Sequence, residues 1–282
     1  MNKQSKTIKF ILISFGLALL LTGLYRFTQF WSESSTEIAI QRKFAKEHEN
    51  LSKLQFDLSD PEQAPKELKQ AVMDGYKLII DTQTHAKPYV GNALNCTHCH
   101  FAGGNTTGGK NGSVSLAGIA AAYPSYQDRF KKVISLSERI NSCFIRSLNG
   151  SALPYNSDEM IAIETYLHWI SRNFPIYMPI PWQGLQMISS TLKPDPVKGK
   201  VIYENTCALC HAADGHGGTD IPAVFGRGSF NDAASMADIN TLAAFIYANM
   251  PYEDPALTPE ESFDVASYIL EQPRPHLEKR GF

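Results

Sequence analysis

Cys96-Thr97-His98-Cys99-His100 and Cys207-Ala208-Leu209-Cys210-His211 are two copies of one pattern, C-x-x-C-H, and that pattern decides the fold. Two thiols at this spacing can both bond to the vinyl carbons of a single porphyrin. The adjacent histidine is then held beneath the iron as its proximal ligand. The expected cofactors are therefore two covalently bound haem c groups, attached through Cys96, Cys99, Cys207 and Cys210 and ligated by His100 and His211. The paired motifs could instead hold zinc between four thiolates, or act as thiol redox pairs. Against both, each motif has its histidine directly after the second cysteine and runs into glycine-rich sequence, and no βαβ pattern surrounds either. The chain has five cysteines, so Cys143 is left over.

Outward from the motifs, one plan occurs twice: a short helix, C-x-x-C-H, a glycine-rich loop, a middle segment and a closing helix. In the first unit Pro65 opens a helical stretch to about Asp81, and Ala102-Gly103-Gly104 and Gly108-Gly109 follow His100. The closing helix is expected to start at a capping box, Asn156-Ser157-Asp158-Glu159, with Met160, Ile163, Tyr166, Leu167 and Ile170 as its apolar stripe. In the second unit Pro196 opens a helix through Tyr203, and Gly215, Gly217 and Gly218 follow His211. Its closing helix starts at Thr258-Pro259-Glu260-Glu261, with proline at the first helical position. Pro175, Pro179, Pro181, Pro194 and Pro196 stud the stretch between the units, which reads as an extended linker. No alternating strand pattern stands out. The expected fold is all-α: two tandem cytochrome c-like domains, at 32–174 and 196–282, joined by a linker at 175–195. A covalent haem supplies apolar core that units of this size would otherwise lack.

The first 31 residues read differently. Lys3, Lys6 and Lys9 precede an uncharged run from Phe10 to Tyr25, closed by Arg26 and an aromatic edge at Phe27, Phe30 and Trp31. That is an export signal or a membrane anchor helix. Leu21-Thr22-Gly23 is a poor cleavage site, which favours an uncleaved anchor over a soluble periplasmic form. Either reading puts the remaining chain in the periplasm. Net charge is −2 with 19% charged residues, so no nucleic-acid partner is indicated.

Each iron also needs a distal ligand. Met250 follows an apolar helix and lies 39 residues after His211; Met236 is its rival. In the first unit Met160 lies within the apolar stripe. Cys143, 43 residues after His100, occupies nearly the offset of Met250 in the second unit, so repeat logic makes it the distal ligand. A buried structural cysteine, an intermolecular disulfide, or ligation by His85, His98 or His168 are the competing readings. A thiolate favours oxidised iron whereas methionine raises the potential, so electrons would run from the Cys143 haem to the Met250 haem. Around Cys143 stand Arg129, Lys131, Lys132, Arg139 and Arg146. They form either an anion-attracting field or a solvated basic helix face.

Ala122-Tyr123-Pro124-Ser125-Tyr126, the block Arg139-Ile140-Asn141-Ser142-Cys143-Phe144-Ile145-Arg146-Ser147, Gly91-Asn92 and the second-unit stretches Ser229-Phe230-Asn231-Asp232 and Asn249-Met250-Pro251 resemble the dihaem thiosulfate dehydrogenases over roughly residues 60 to 275. The resemblance implies interconversion of two thiosulfates with tetrathionate and two electrons. It implies His100/Cys143 ligation at the first haem and His211/Met250 at the second. It also implies substrate contacts at Arg129, Arg139 and Ser147, and an external electron acceptor or donor such as a small cytochrome c. Some members carry a lysine beside the methionine; here the neighbour is Asn249. Other readings are a non-catalytic tethered electron carrier, a Sox-type cytochrome that transfers sulfur to a carrier protein, and a dihaem peroxidase, which the distal Cys143 opposes.

Overall fold

The computed structural model describes residues 58–110, 113–180, 182–252 and 254–277. The expected anchor or signal helix lies outside them, and among the described residues no helix is long and apolar enough to cross a membrane.

The first half opens with helix α1 (Lys66–Ile80), which starts after Pro65 and buries Val72, Gly75, Leu78 and Ile79 along one face. A single turn, α2 (Thr82–His85), is capped by the Asp81 carboxylate and leads to the first C-x-x-C-H, itself a 3₁₀ turn at Cys96–His98. Helix α3 (Leu136–Arg146) carries Cys143 and begins at a capping box: the Ser135 hydroxyl accepts from Glu138 N, and the Glu138 carboxylate accepts from Ser135 N. Helix α4 (Asp158–Ser171) closes the half. Its cap is Ser157, which accepts from Met160 N, and the box expected from Asn156 does not form. The residue that turns extended, with its hydroxyl in reach of the third helical N–H, is one position later than the pattern suggested.

The second half repeats the plan in shorter form. Helix α5 (Pro196–Ile202) has Asp195 as its cap and proline at its start. It passes through a π turn (Tyr203–Cys207) into α6 (Ala208–His211), so the second motif is wound into a continuous helical rod. Helix α7 (Ile239–Asn249) ends at Met250, and α8 (Pro259–Glu271) closes the chain from the expected capping box at Thr258 and Glu261.

In both halves the opening and closing helices cross backbone to backbone at a glycine. A Cβ on Gly75 would stand 2.1 Å from the Ala162 carbonyl oxygen of α4, and one on Gly199 would stand 1.9 Å from the Asp264 carbonyl oxygen of α8. Each half also spends a fully buried tyrosine on the loop after its motif: Tyr166 OH donates to Gly103 O and Tyr203 OH to Ala212 O, both at 2.8 Å.

The fold is mostly helical, with one departure from an all-α plan. Strands β1 (Ser125–Gln127) and β2 (Lys132–Ile134) pair antiparallel, with Ser125 opposite Ile134. Three residues a side is too short for an alternating pattern to register in the sequence. The hairpin matters because its turn carries Arg129 and Lys131.

The two halves meet in shared core. Phe230 and Ala234, from the second half, are buried with Phe144, Met160, Ile163 and Tyr166 of the first. A second core gathers Tyr203, Phe225, Leu242, Ile246, Phe263 and Ile269. Part of the proline-studded stretch is itself buried: Ile180 packs with Ala117, Ala121 and Phe174.

Candidate active site

Both motifs present the chemistry a c-type haem requires. His100 Nδ1 lies 2.6 Å from Val114 O, and His211 Nδ1 lies 2.9 Å from Pro222 O. A ring nitrogen against a carbonyl must carry the proton, which leaves each Nε2 lone pair free to bind a metal. Burial, opposed by the Val114 carbonyl, pushes the His100 pKa down to about 4 and keeps the imidazole neutral. None of the five cysteines is paired with another in a disulfide. Cys96 packs against the first core and Cys207 against the second, while Cys210 is exposed. Among the described residues no three His, Cys, Asp or Glu converge as a metal site of their own. The residues therefore fit covalent attachment of a porphyrin in each half.

Cys143 is close enough to the first motif to act electrostatically on Cys96 and Cys99, and Arg139, which donates to it, acts on His100. The sulfur thus lies among the groups that would surround the first haem. Of the rival ligands, His85 and His168 are exposed, and His98, inside the motif, has its Nδ1 engaged as acceptor from Asn95 N. Met250 packs against the second core alongside Cys207. Met236 touches both cores, the position of a gap-filling side chain at their junction.

The basic residues around Cys143 separate into two kinds. Lys131 pairs with Asp128 at 3.3 Å and Lys132 with Glu138 at 2.9 Å, both on the surface. The three arginines instead form a gradient toward the sulfur. Arg129, exposed on the hairpin turn, donates to Ala233 O at 2.7 Å. Arg146 lies over the Phe130 ring, 4.7 Å from its centroid, and its pKa is lowered by burial first and then by Arg129 and Arg139. Arg139 Nη1 is 2.7 Å from Cys143 Sγ. Its charge is reinforced by the Cys143 sulfur first, against burial, with Tyr123 adding a second hydrogen bond. Ser147 follows one turn after Cys143: its N–H donates to Cys143 O and its carbonyl accepts from Asn92.

Tyr123 did not stand out from the sequence as a site residue. Nothing in its spacing marks it, because it reaches Arg139 from the segment before the hairpin. Asn231 was quoted only for resemblance. It is fully buried, and its amide donates to Ile145 O at 2.9 Å and Asn149 Oδ1 at 3.2 Å while its own N–H donates to Arg146 O. It fastens the second half to the end of the Cys143 helix. The two motifs are themselves neighbours, since His211 and Asp220 both act electrostatically on His98.

Comparison with known proteins points the same way. Residues 86–176 match the family described as SoxA/TsdA, cytochrome c domain, and residues 194–269 match cytochrome C oxidase, cbb3-type, subunit III. The thiosulfate dehydrogenase of Thiomonas intermedia is 38% identical over 208 residues, which is 71% of this chain and 65% of that protein. That of Allochromatium vinosum is 34% identical over 215 residues, 74% of this chain and 80% of that protein. The solved thiosulfate dehydrogenase (TsdBA) from Marichromatium purpuratum superposes with a TM-score of 0.74 at 30% identity, covering 80% of this chain and 51% of that one. The chain thus spans about two thirds of the Thiomonas relative and half of the solved structure.

Proposed function

Since the chain belongs to the thiosulfate dehydrogenase family, we propose that it interconverts two thiosulfate ions with one tetrathionate ion and two electrons at Cys143. Its cytochrome c domains carry covalently bound haem c. The observation that carries the proposal is the Arg139–Cys143 contact at 2.7 Å, within electrostatic reach of Cys96, Cys99 and His100.

Thiosulfate is a dianion. Arg129, exposed at the rim, draws it in, and the charges of Arg146 and Arg139 continue that field to the sulfur. The planar arginine fork suits a tetrahedral sulfonate group, and Arg139 donates a hydrogen bond to the Cys143 sulfur. Cys143 Sγ bonds to the terminal sulfur of the first thiosulfate, and two electrons leave. The terminal sulfur of a second thiosulfate attacks that same atom, the bond to Sγ breaks, and tetrathionate departs with Cys143 restored as thiolate. When bound, the haems supply one-electron storage at two irons of different potential. Protein groups contribute the positive field, the nucleophile and the exclusion of water.

In this reading His100 and Cys143 ligate the first iron, and His211 and Met250 the second. The closeness of His98 to His211 supports passage from one haem to the other. The exit partner is an external carrier such as a small cytochrome c. The basic, apolar N-terminus supports a periplasmic reaction, on an anchor or free after cleavage.

A steady-state assay of the purified dihaem protein in both directions tests the proposal. Thiosulfate with an oxidant should reduce the haems and yield tetrathionate, and reduced dye with tetrathionate should yield thiosulfate. Failure in both directions, or turnover only when a sulfur-carrier protein is added, would overturn it.

A further inference from the structure

The segment Ser113–Val114 is stitched to the first haem motif by three bonds. Val114 O faces His100 Nδ1 at 2.6 Å, Val114 N donates to Cys99 O at 3.2 Å, and Ser113 Oγ accepts from Phe101 N at 2.8 Å. Ser113 is buried and left-handed, with φ of 53°, a conformation that a non-glycine residue holds only when its surroundings fix it. One donor of this segment points the other way. Ser113 N donates to Asn249 Oδ1 at 2.8 Å, a fully buried bond across 136 residues of sequence.

Asn249 is the last residue of α7, and Met250 follows it. Its amide nitrogen donates to Phe245 O at 3.0 Å, so the side chain is clamped at both ends. Neighbouring contacts run in parallel. The Phe101 ring, next to His100, meets Phe245 and Tyr252 edge-on at 6.0 and 5.3 Å. Lys110 Nζ reaches Pro255 O at 3.3 Å. The loop behind the first motif therefore grips both sides of Met250.

We propose that Asn249 is a positioning residue that fixes the Met250 sulfur by tying it to the Ser113–Val114 segment under His100. The distal side of the second haem is then braced against the proximal side of the first. A carboxamide suits this place because it accepts from Ser113 and donates to Phe245 while uncharged, so both buried partners are satisfied. A lysine here could not accept from Ser113. The inference rests on the reading of Met250 as distal ligand.

The test uses the purified dihaem protein. Imidazole is the probe, and the methionine-to-ferric-iron absorption band is the readout. In Asn249→Ala, which loses both buried hydrogen bonds of the side chain, imidazole should displace the methionine at least about tenfold faster than in the parent. Asn249→Asp keeps the acceptor for Ser113 but loses the donor to Phe245 O, so its rate should fall between those of the parent and Asn249→Ala. The proposal is overturned if Asn249→Ala, with both haems attached, matches a methionine-ligated parent, or if Asn249→Asp is as fast as Asn249→Ala. Should Asn249→Ala fail to retain haem, hydrogen exchange on the parent decides: imidazole should unprotect the Ser113 amide, and unchanged protection overturns the tie. A parent with no methionine band, or one whose imidazole kinetics are untouched by Met250→Ala, would remove the Met250 reading itself, which is a separate result.

Discussion

Arg139 donates to the Cys143 sulfur at 2.7 Å from one turn earlier on the same helix, the i and i+4 positions of α3. This places a permanent cation against the one sulfur that the covalent attachment of haem does not consume. Arg139→Lys keeps the charge but loses the planar fork, and kcat/KM should fall by roughly 10²-fold, in the range for removing one preorganised donor. Steady-state kinetics with thiosulfate check this; a loss under threefold would deny Arg139 its role.

Cys143→Gly should retain both haems, because attachment runs through Cys96, Cys99, Cys207 and Cys210, yet turn over neither substrate. Mass spectrometry counts the haems and the two-way assay measures the loss. The change to the first haem's visible spectrum should accompany it, since the distal thiolate is gone.

Tyr123 meets Arg139 from the segment preceding the hairpin, and burial pushes its phenol pKa up, opposed by the Arg139 charge, so it stays protonated at neutral pH. Tyr123→Phe removes one of the two partners that aim the guanidinium. kcat/KM should drop about fivefold, near the net worth of one such hydrogen bond. The effect should fall mainly on KM if Tyr123 orients Arg139 for docking, and a variant indistinguishable from the parent would remove it from the site.

The haem motifs, the helix plan and the grouping of arginines with Cys143 were legible in the sequence because each is local: a fixed spacing, a cap, a periodic stripe. The β1–β2 hairpin was not, since three residues a side leave no period to detect, and so Arg129 and Lys131 were open to being read as one face of a helix. Charge counting also could not tell Lys131 and Lys132, paired with Asp128 and Glu138, from Arg139, which donates to the sulfur. Contacts spanning long stretches of chain were silent. The Ser113–Asn249 bond and the burial of Phe230 in the first core join residues whose neighbours in sequence say nothing of one another.

Gly199 touches the α8 backbone so closely that a methyl group cannot enter: its Cβ would stand 1.9 Å from Asp264 O. Gly199→Ala must push α5 and α8 apart and should cost about 1–3 kcal/mol, the range for overpacking a close contact. The thermal midpoint of the holoprotein should fall by several degrees, roughly in line with that cost for a domain of this size. An unchanged midpoint would mean that the two helices slide freely past each other.

Asn231 connects stability to substrate capture. Its Oδ1 accepts from Ala233 N at 3.1 Å, and Ala233 O in turn receives Arg129 Nη1 at 2.7 Å. The same side chain donates to Ile145 O and Asn149 Oδ1 on the far side of the junction. Asn231→Ala leaves those acceptors and one N–H without partners in a part-buried place, at a cost of roughly 1–3 kcal/mol. Because Ala233 then loses its anchor, Arg129 loses a fixed carbonyl to lean on. KM for thiosulfate should rise severalfold in the folded fraction, while kcat, set at Cys143 and Arg139, changes little. Denaturant titration gives the first quantity and initial rates the second. A loss of stability with KM unmoved would show that Arg129 is held at the rim by something other than Ala233.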